Sequence, residues 1–430
     1  MHILFLTDNF PPEVNAPASR TFEHCREWVN AGHRVTVITC APNFPRGQVF
    51  DGYRNRLFAR EEMDGIEVVR VWSYITANEG FLRRTLDYMS FMASATPASL
   101  RVDRPDIIIA TSPQFFTACA GYIVSRLRRV PYIFELRDIW PESIRAVGAM
   151  KESRVLDWLE KLELFLYRKS AAVISVTHAF KRILSERGID PGKIQVVTNG
   201  ADLSLFKPRQ RDAELTEAHG LTGKFVAGYI GTHGMAHALQ TLLDAAEILQ
   251  EQGRDDIHLL FLGNGATKAH LVARAAEMNL RNATFVDSVP KSEVVKYWSL
   301  LDASIIHLRK TELFATVIPS KLFECMAMGI PVLHGVVGRS ADIVRNENVG
   351  LPVEPENAQQ LAASIVRLKD EPELISQFQR NGPIAAARYD RKSLAMSMLQ
   401  HIEHVAARST ARADTTNRPD TPASSDAAGA

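Results

Sequence analysis

The feature that most restricts this chain is a repeated alternation of short β-branched runs with longer amphipathic stretches. That alternation belongs to βαβ units, whose parallel strands are covered on both faces by helices. It occurs here in two series. In the first, strands are expected at 2–7, 34–39, 66–72, 107–111, 132–136, 172–176 and 194–197, with helices at 22–31 and 155–169. In the second, strands are expected at 225–230, 258–262, 283–286, 303–306, 331–333 and 350–353, with helical periodicity clearest at 239–250. Asn199-Gly200-Ala201-Asp202 and Phe206-Lys207-Pro208 are rich in turn formers, which places the linker near 199–222.

At 430 residues the chain exceeds the roughly 250–300 at which a single core stops growing. The expected fold class is therefore α/β, with two Rossmann-like domains, 1–200 and 201–390, facing each other across a cleft. Residues 391–407 read as a C-terminal helix packing back toward the first domain. Residues 408–430 contain nothing apolar larger than Ala or Pro and read as a disordered tail.

Lys+Arg 50 against Asp+Glu 49 leaves no global field that would single out nucleic acid as a partner. The first 200 residues carry 26 basic and 22 acidic side chains, which suits an acidic acceptor or an anionic membrane and equally an ordinary solvated surface. The four cysteines, Cys25, Cys40, Cys119 and Cys325, lack the spacing of a disulfide framework or a metal site, so a reducing cytoplasm is the simplest setting. The opening run Met1 to Asp8 reads as a buried strand, too short for a signal peptide. No apolar stretch approaches the ~20 residues of a spanning helix, so membrane contact is expected to be peripheral. The segment from Phe81 to Met92 sets basic, aromatic and Met residues at helical spacing. That fits an interfacial helix, and also a core-facing helix with a basic rim.

In open parallel sheets ligands sit beyond the carboxyl ends of the strands, so the informative motifs are those that follow a strand. The richest is Val317-Ile318-Pro319-Ser320-Lys321-Leu322-Phe323-Glu324, which continues through Gly329 into a strand. Ser320 is placed to cap a helix that Gly329 ends. Lys321 and Glu324 then lie on nearly the same side, where Lys321 can meet phosphate and Glu324 can accept from two ribose hydroxyls. A capped amphipathic helix with a surface Lys–Glu pair carries the same sequence.

Gly231-Thr232-His233-Gly234 follows another expected strand, and its backbone amides can cradle a phosphate with His233 beside them. Gly263 and Gly265 flank Asn264 after the next strand. On the other side of the cleft, Arg137 and Asp138 precede Trp140-Pro141-Glu142. Asp138 there can hold an acceptor hydroxyl and Arg137 can offset diphosphate charge, or both can belong to a structural ion network around Trp140. Pro11-Pro12-Glu13 and Ala16-Pro17-Ala18-Ser19-Arg20 read as an irregular loop after the first strand. Ala41-Pro42-Asn43-Phe44-Pro45-Arg46-Gly47 reads as a second loop, with an aromatic that could line an acceptor surface. No Asp-x-Asp stands at a strand end, and the histidines lack ligand spacing, so neither a metal nor another cofactor is expected.

The Pro319-Ser320-Lys321-Leu322-Phe323-Glu324 segment resembles the donor-binding helix of family 4 retaining glycosyltransferases of GT-B fold, in a version similar to the bacterial fucosamine transferase subgroup. The resemblance covers about residues 1–405. It implies that Glu324 holds the ribose, and that the acid of the family's Glu-x7-Glu motif nearer the sugar is replaced by Thr316. It also implies that Val289, in the segment Val286–Lys291, meets the base through its backbone, and that Pro12, Glu13, Ala16 and Arg20 face acceptor and donor in the cleft. The implied partners are a UDP-linked N-acetylated deoxyhexosamine and a lipid-linked saccharide of surface-polysaccharide assembly, at the inner face of the membrane. Many relatives neutralise the diphosphate with an Arg and a Lys in the first glycine loop; here His233 and His237 stand instead.

Two other classes share these features. A sugar-nucleotide epimerase of the same fold would convert UDP-N-acetylglucosamine with no acceptor present, and a non-catalytic sensor would bind nucleotide without turnover. A redox Rossmann enzyme fits least, because no Gly-x-Gly-x-x-Gly follows the first strand.

Overall fold

The computed structural model describes residues 1–44, 46–76, 81–139 and 154–416, without the side chains of 81–82 and 410–416. Trp140, Pro141 and Glu142 lie outside the described residues.

The first series forms an eight-stranded sheet from β1 (His2–Leu6), β2 (Arg34–Cys40), β3 (Phe58–Met63), β4 (Ile66–Val71), β5 (Ile107–Thr111), β6 (Tyr132–Leu136), β7 (Ala172–Ser175) and β8 (Ile194–Val196). Its order is β3-β4-β2-β1-β5-β6-β7-β8. β1, β5 and β6 are buried along their whole length, which is why they read as apolar runs. The second series forms a six-stranded sheet in the order β11-β10-β9-β12-β13-β14. Its strands are β9 (Phe225–Ile230), β10 (Ile257–Leu262), β11 (Ala283–Val286), β12 (Ala303–His307), β13 (Val332–Gly335) and β14 (Gly350–Pro352), all parallel.

Three local readings change. β3 was not among the expected strands; it pairs antiparallel with β4 at the sheet edge. Its residues Arg60, Glu61 and Glu62 mask the strand pattern, but the Asp64-Gly65 turn between it and β4 takes positive φ at both positions, the geometry of a two-residue hairpin. The first helix begins at Ala16, not near Phe22: Asn15 caps it by accepting from the Ala18 amide at 2.9 Å, and Pro17 sits in its first turn, where a missing N–H costs nothing. Ala16 and Arg20 are therefore helical, not loop. At the other end, the Arg391–Thr416 helix runs past the boundary placed at 407, and residues 417–430 lie outside the described residues.

The chain crosses between the domains twice, side by side. The Ala201 amide donates to the Tyr389 carbonyl at 3.1 Å, and the Arg391 amide donates to the Ala201 carbonyl at 2.9 Å. Gly200 is required there: a Cβ on it would stand 2.1 Å from the Tyr389 carbonyl oxygen. Beyond the second crossing the Arg391–Thr416 helix lies on the Ala16–Asn30 helix. Met398, Leu399 and Ile402 enter the core of the first domain, and the Trp28 indole donates to the Ala395 carbonyl at 2.9 Å. Among the described residues no helix is long and apolar enough to cross a membrane.

Candidate functional site

The carboxyl ends of β9, β10 and β11 are joined by backbone hydrogen bonds into one floor. The Gly231 amide donates to Leu262 at 2.9 Å, the Gly263 amide to Val286 at 3.0 Å, and the His233 amide to Asn264 at 2.9 Å. Gly263 and Gly265 allow this contact, because a Cβ on Gly263 would lie 1.9 Å from the Gly231 carbonyl oxygen and one on Gly265 would lie 2.4 Å from that of His233. Helix formation after Gly234 is delayed by a 3-10 turn, Met235–His237, and resumes only at Gln240.

Against this floor stands the Lys321–Met328 helix, ended by Gly329 at φ +67. Ser320 occupies the N-cap position in helical geometry, and its side chain makes no capping bond. The Lys321 ammonium lies 3.8 Å from the centroid of the Tyr229 ring, close enough to Gly231 that a Cβ there would stand 2.5 Å from Nζ. That Nζ is buried and, among the described residues, has no hydrogen-bond partner, and burial brings its pKa down to about 8. The Tyr229 hydroxyl donates to the Thr232 carbonyl at 2.8 Å, which fixes the ring under the ammonium. A buried, unpaired cation beside two glycine loops is a site prepared for an anion.

Glu324 lies on the same helix. Burial raises its pKa, and Lys291, Arg391 and Lys321 oppose that rise while Glu23 adds to it. The Thr316 hydroxyl donates to the Leu313 carbonyl at 2.6 Å and closes the Phe314–Thr316 turn. The next residue, Val317, packs against the cores of both domains, so the approach to Pro319 belongs to the interdomain seam. Val289 is half-buried against the second core, in the loop between β11 and the Lys291–Trp298 helix. At the rim Asn264, with its amide turned to suit its neighbours, donates to Asp287 at 3.1 Å and accepts from Arg46 of the first domain at 3.2 Å.

His233 departs from the expected role. Its ring is fully buried between Tyr229 and Phe285, and burial with Lys268 and Lys321 nearby lowers its pKa to about 4. The ring is neutral at pH 7 and supplies no charge to a diphosphate. The residue instead ties the loops together: its carbonyl accepts from the Thr267 amide at 3.0 Å and the Thr267 hydroxyl at 2.8 Å.

Two expected cleft residues also turn inward. Glu13 is buried, accepts from the Asn43 and Phe44 amides at 2.7 and 2.8 Å, and is pushed up to about 7 by that burial. Arg20 is 1% exposed; it binds Glu135 at 3.0 Å and donates to the Thr198 and Val197 carbonyls at 2.7 and 3.0 Å. Pro12 and Ala16 remain exposed. Arg137 and Asp138 are half-buried at the end of β6, and the Ser112 hydroxyl accepts from both their amides, at 2.8 and 3.2 Å. Arg137 also donates to the Pro17 carbonyl at 3.2 Å, and burial lowers its pKa to about 9. Ser112 went unnoticed in the sequence, where a lone Ser before Pro113 carries no signal.

Two Rossmann-like sheets meeting at a seam ready for an anion are the layout of a GT-B glycosyltransferase. Residues 15–200 match the model of the glycosyl transferase 4-like domain, and residues 212–384 match that of glycosyl transferases group 1. The chain belongs to this group 1/family 4 of GT-B glycosyltransferases and is a glycosyltransferase. It is 25% identical over 381 residues to the putative colanic acid biosynthesis glycosyl transferase WcaI of Escherichia coli K12, a match covering 85% of this chain and 91% of that one. In fold it is similar to sucrose-phosphate synthase of Thermosynechococcus elongatus, with TM-score 0.74, 17% identity, and 95% and 99% of the two chains covered. It is also similar to Anabaena HepE solved with UDP and glucose, with TM-score 0.71, 18% identity, and 93% and 99% covered. The epimerase and sensor readings give way to the transferase.

Proposed function

We propose that this enzyme transfers an N-acetylated deoxyhexosamine, such as N-acetyl-L-fucosamine, from a UDP donor to a lipid-linked saccharide in bacterial surface-polysaccharide assembly, with retention of configuration. The observation that carries the donor half is the buried Lys321 ammonium over Tyr229, beside the Gly231 loop and without a hydrogen-bond partner among the described residues. A diphosphate placed there meets Lys321 and the loop amides, with no metal required. Glu324 accepts from the ribose, and the base lies along Val289. Asp138 and Arg137, on the opposite side, orient the acceptor. Rate enhancement then rests on positioning and on stabilising the departing diphosphate, with a phosphate oxygen taking the acceptor proton on the same face. HepE, solved with UDP and glucose, and WcaI, named for colanic acid biosynthesis, support the donor base and the pathway type.

The acceptor half draws on an exposed apolar and basic surface of the first domain. Leu57, Trp72, Tyr74, Leu86 and Met89 stand exposed there, with Arg54, Arg56 and Arg83 also exposed. Such a surface suits peripheral contact with an anionic leaflet, on the cytoplasmic side. Co-sedimentation with vesicles containing anionic lipid tests it, and equal binding to neutral vesicles counts against it.

A thermal-shift screen of UDP-, GDP-, ADP- and TDP-sugars tests the donor. Stabilisation by a GDP-sugar and not by UDP-sugars overturns the proposed base. Glu324→Gln is expected to weaken UDP binding by roughly 1–3 kcal/mol, the range for a lost charge-assisted hydrogen bond; calorimetry showing unchanged affinity removes Glu324 from the site. Lys321 predicts a pH profile. Its pKa of about 8 in the folded chain lies below the ordinary 10.5. The unfolded chain therefore binds more protons across that window, and the ligand-free protein gains stability as pH rises through it. A bound diphosphate favours the ammonium, so UDP affinity is expected to fall as pH climbs above about 8. Lys321→Met should lower affinity and flatten that decline; a decline unchanged in the variant assigns it to another group.

A further inference from the structure

The ribose carboxylate assigned above is not isolated from the first domain. Glu23, on the Ala16–Asn30 helix, is 4% exposed and divides its carboxylate between two cations. One oxygen binds the ammonium of Lys291, the first residue of a helix in the second domain. The other receives Arg391 Nη1 at 2.6 Å. Arg391, 5% exposed and placed at the second domain crossing, also donates through Nη2 to the Gly200 carbonyl at the first crossing. The charges that act on Glu324 are these same groups, Lys291, Arg391 and Glu23, together with Lys321.

Glu324 therefore lies in the field of both cations that Glu23 binds at the hinge, in addition to that of Lys321. Glu23 is the acid that holds them by direct hydrogen bonds. If it is removed, Lys291 and Arg391 are left to the field of Glu324, whose helix reaches the same hinge through the Phe323 ring, 4.4 Å from that of Tyr389. Each bond they make to Glu324 takes an oxygen that a ribose hydroxyl needs.

We propose that Glu23, which belongs to the acceptor-side domain, is a positioning residue for the donor: it holds Lys291 and Arg391 away from Glu324 and so keeps the Glu324 carboxylate open for the ribose. This rests on the reading of Glu324 as a donor-site acid. It also makes donor affinity depend on the two domains being together, because Glu23 and Lys291 lie on opposite sides of the seam.

The test is calorimetry with UDP on the full chain. Glu23→Gln is expected to weaken binding by about tenfold, equivalent to about 1.4 kcal/mol. Adding Lys291→Met to it should recover part of that loss by removing a competing cation, while Lys291→Met alone should stay near wild type. A merely structural role for Glu23 gives no such recovery. Unchanged affinity in Glu23→Gln, or a loss equal with and without Lys291→Met, overturns the proposal. Where Glu23→Gln does not fold, Glu23→Asp keeps the buried charge while drawing the carboxylate back from Lys291 and Arg391; the same direction and the same recovery are expected, and their absence is equally decisive. Glu324→Gln separates the two readings. If it leaves UDP binding intact, the donor-site reading fails; if it weakens binding and Glu23→Gln does not, only the present proposal fails.

Discussion

Arg20→Met is expected to destabilise the enzyme by about 3–5 kcal/mol, the usual consequence of removing one partner of a buried ion pair. Both side chains of the Arg20–Glu135 pair are 2% exposed, so solvent screening does little to soften the loss. The variant leaves the Glu135 carboxylate buried with its hydrogen-bond partner gone, and it leaves the Val197 and Thr198 carbonyls without their guanidinium donor. Arg137 can offset part of the loss, since its charge already interacts with that of Glu135. It is tethered to the Pro17 carbonyl, however, and gives only partial relief. Those two carbonyls lead into the first domain crossing, so the variant should also loosen the linker. Urea unfolding measures the loss, and limited proteolysis near 197–202 measures the loosening. A change below about 1 kcal/mol would place Arg20 among surface ion pairs and contradict the burial.

Gly263→Ala is expected to remove roughly 2–5 kcal/mol, combining a strained backbone conformation with overpacking, and to abolish the proposed UDP binding even where the chain stays folded. Gly263 sits at φ +146, and an added Cβ would stand 1.9 Å from a backbone oxygen of Gly231. Backbone cannot rotate away as a side-chain tip can, so the β9 and β10 loops must part. That separation moves Gly231 from beneath the Lys321 ammonium. Gly253→Ala is the control: it also replaces a glycine of positive φ, +67, but nothing among the described residues lies within 4 Å of its Cβ. If the two variants lose equal stability, the contact between the loops is not what Gly263 protects.

The parts of the molecule legible in the sequence are those set by neighbours in the chain. Apolar runs in β1 and β5, and in β6 on either side of Glu135, announced strands buried on both faces. The Gly329 helix end and the Lys321 and Glu324 spacing follow from one helix. Even the missed β3 had a local cue in Asp64-Gly65, overruled by its charged edge residues. Arg20, Glu13 and His233 were legible as polar groups near strand ends but not as buried ones. The hydrogen-bond partners of the first two are remote: Glu135 is 115 positions from Arg20, and Asn43 is 30 from Glu13.

The sequence by itself determined two α/β series, the glycine loops after β9 and β10, and a helix with Lys321 and Glu324 on one side, because strand period, turn chemistry and helical spacing act over a few residues. Only the tertiary structure decided which charges are enclosed together. Lys291 meets Glu23 from 268 positions away and Arg391 meets it from 368, at a hinge formed by two crossings of the chain. The physical reason is that a charge is costly to bury until a partner arrives, and which partner arrives is settled by how the domains close.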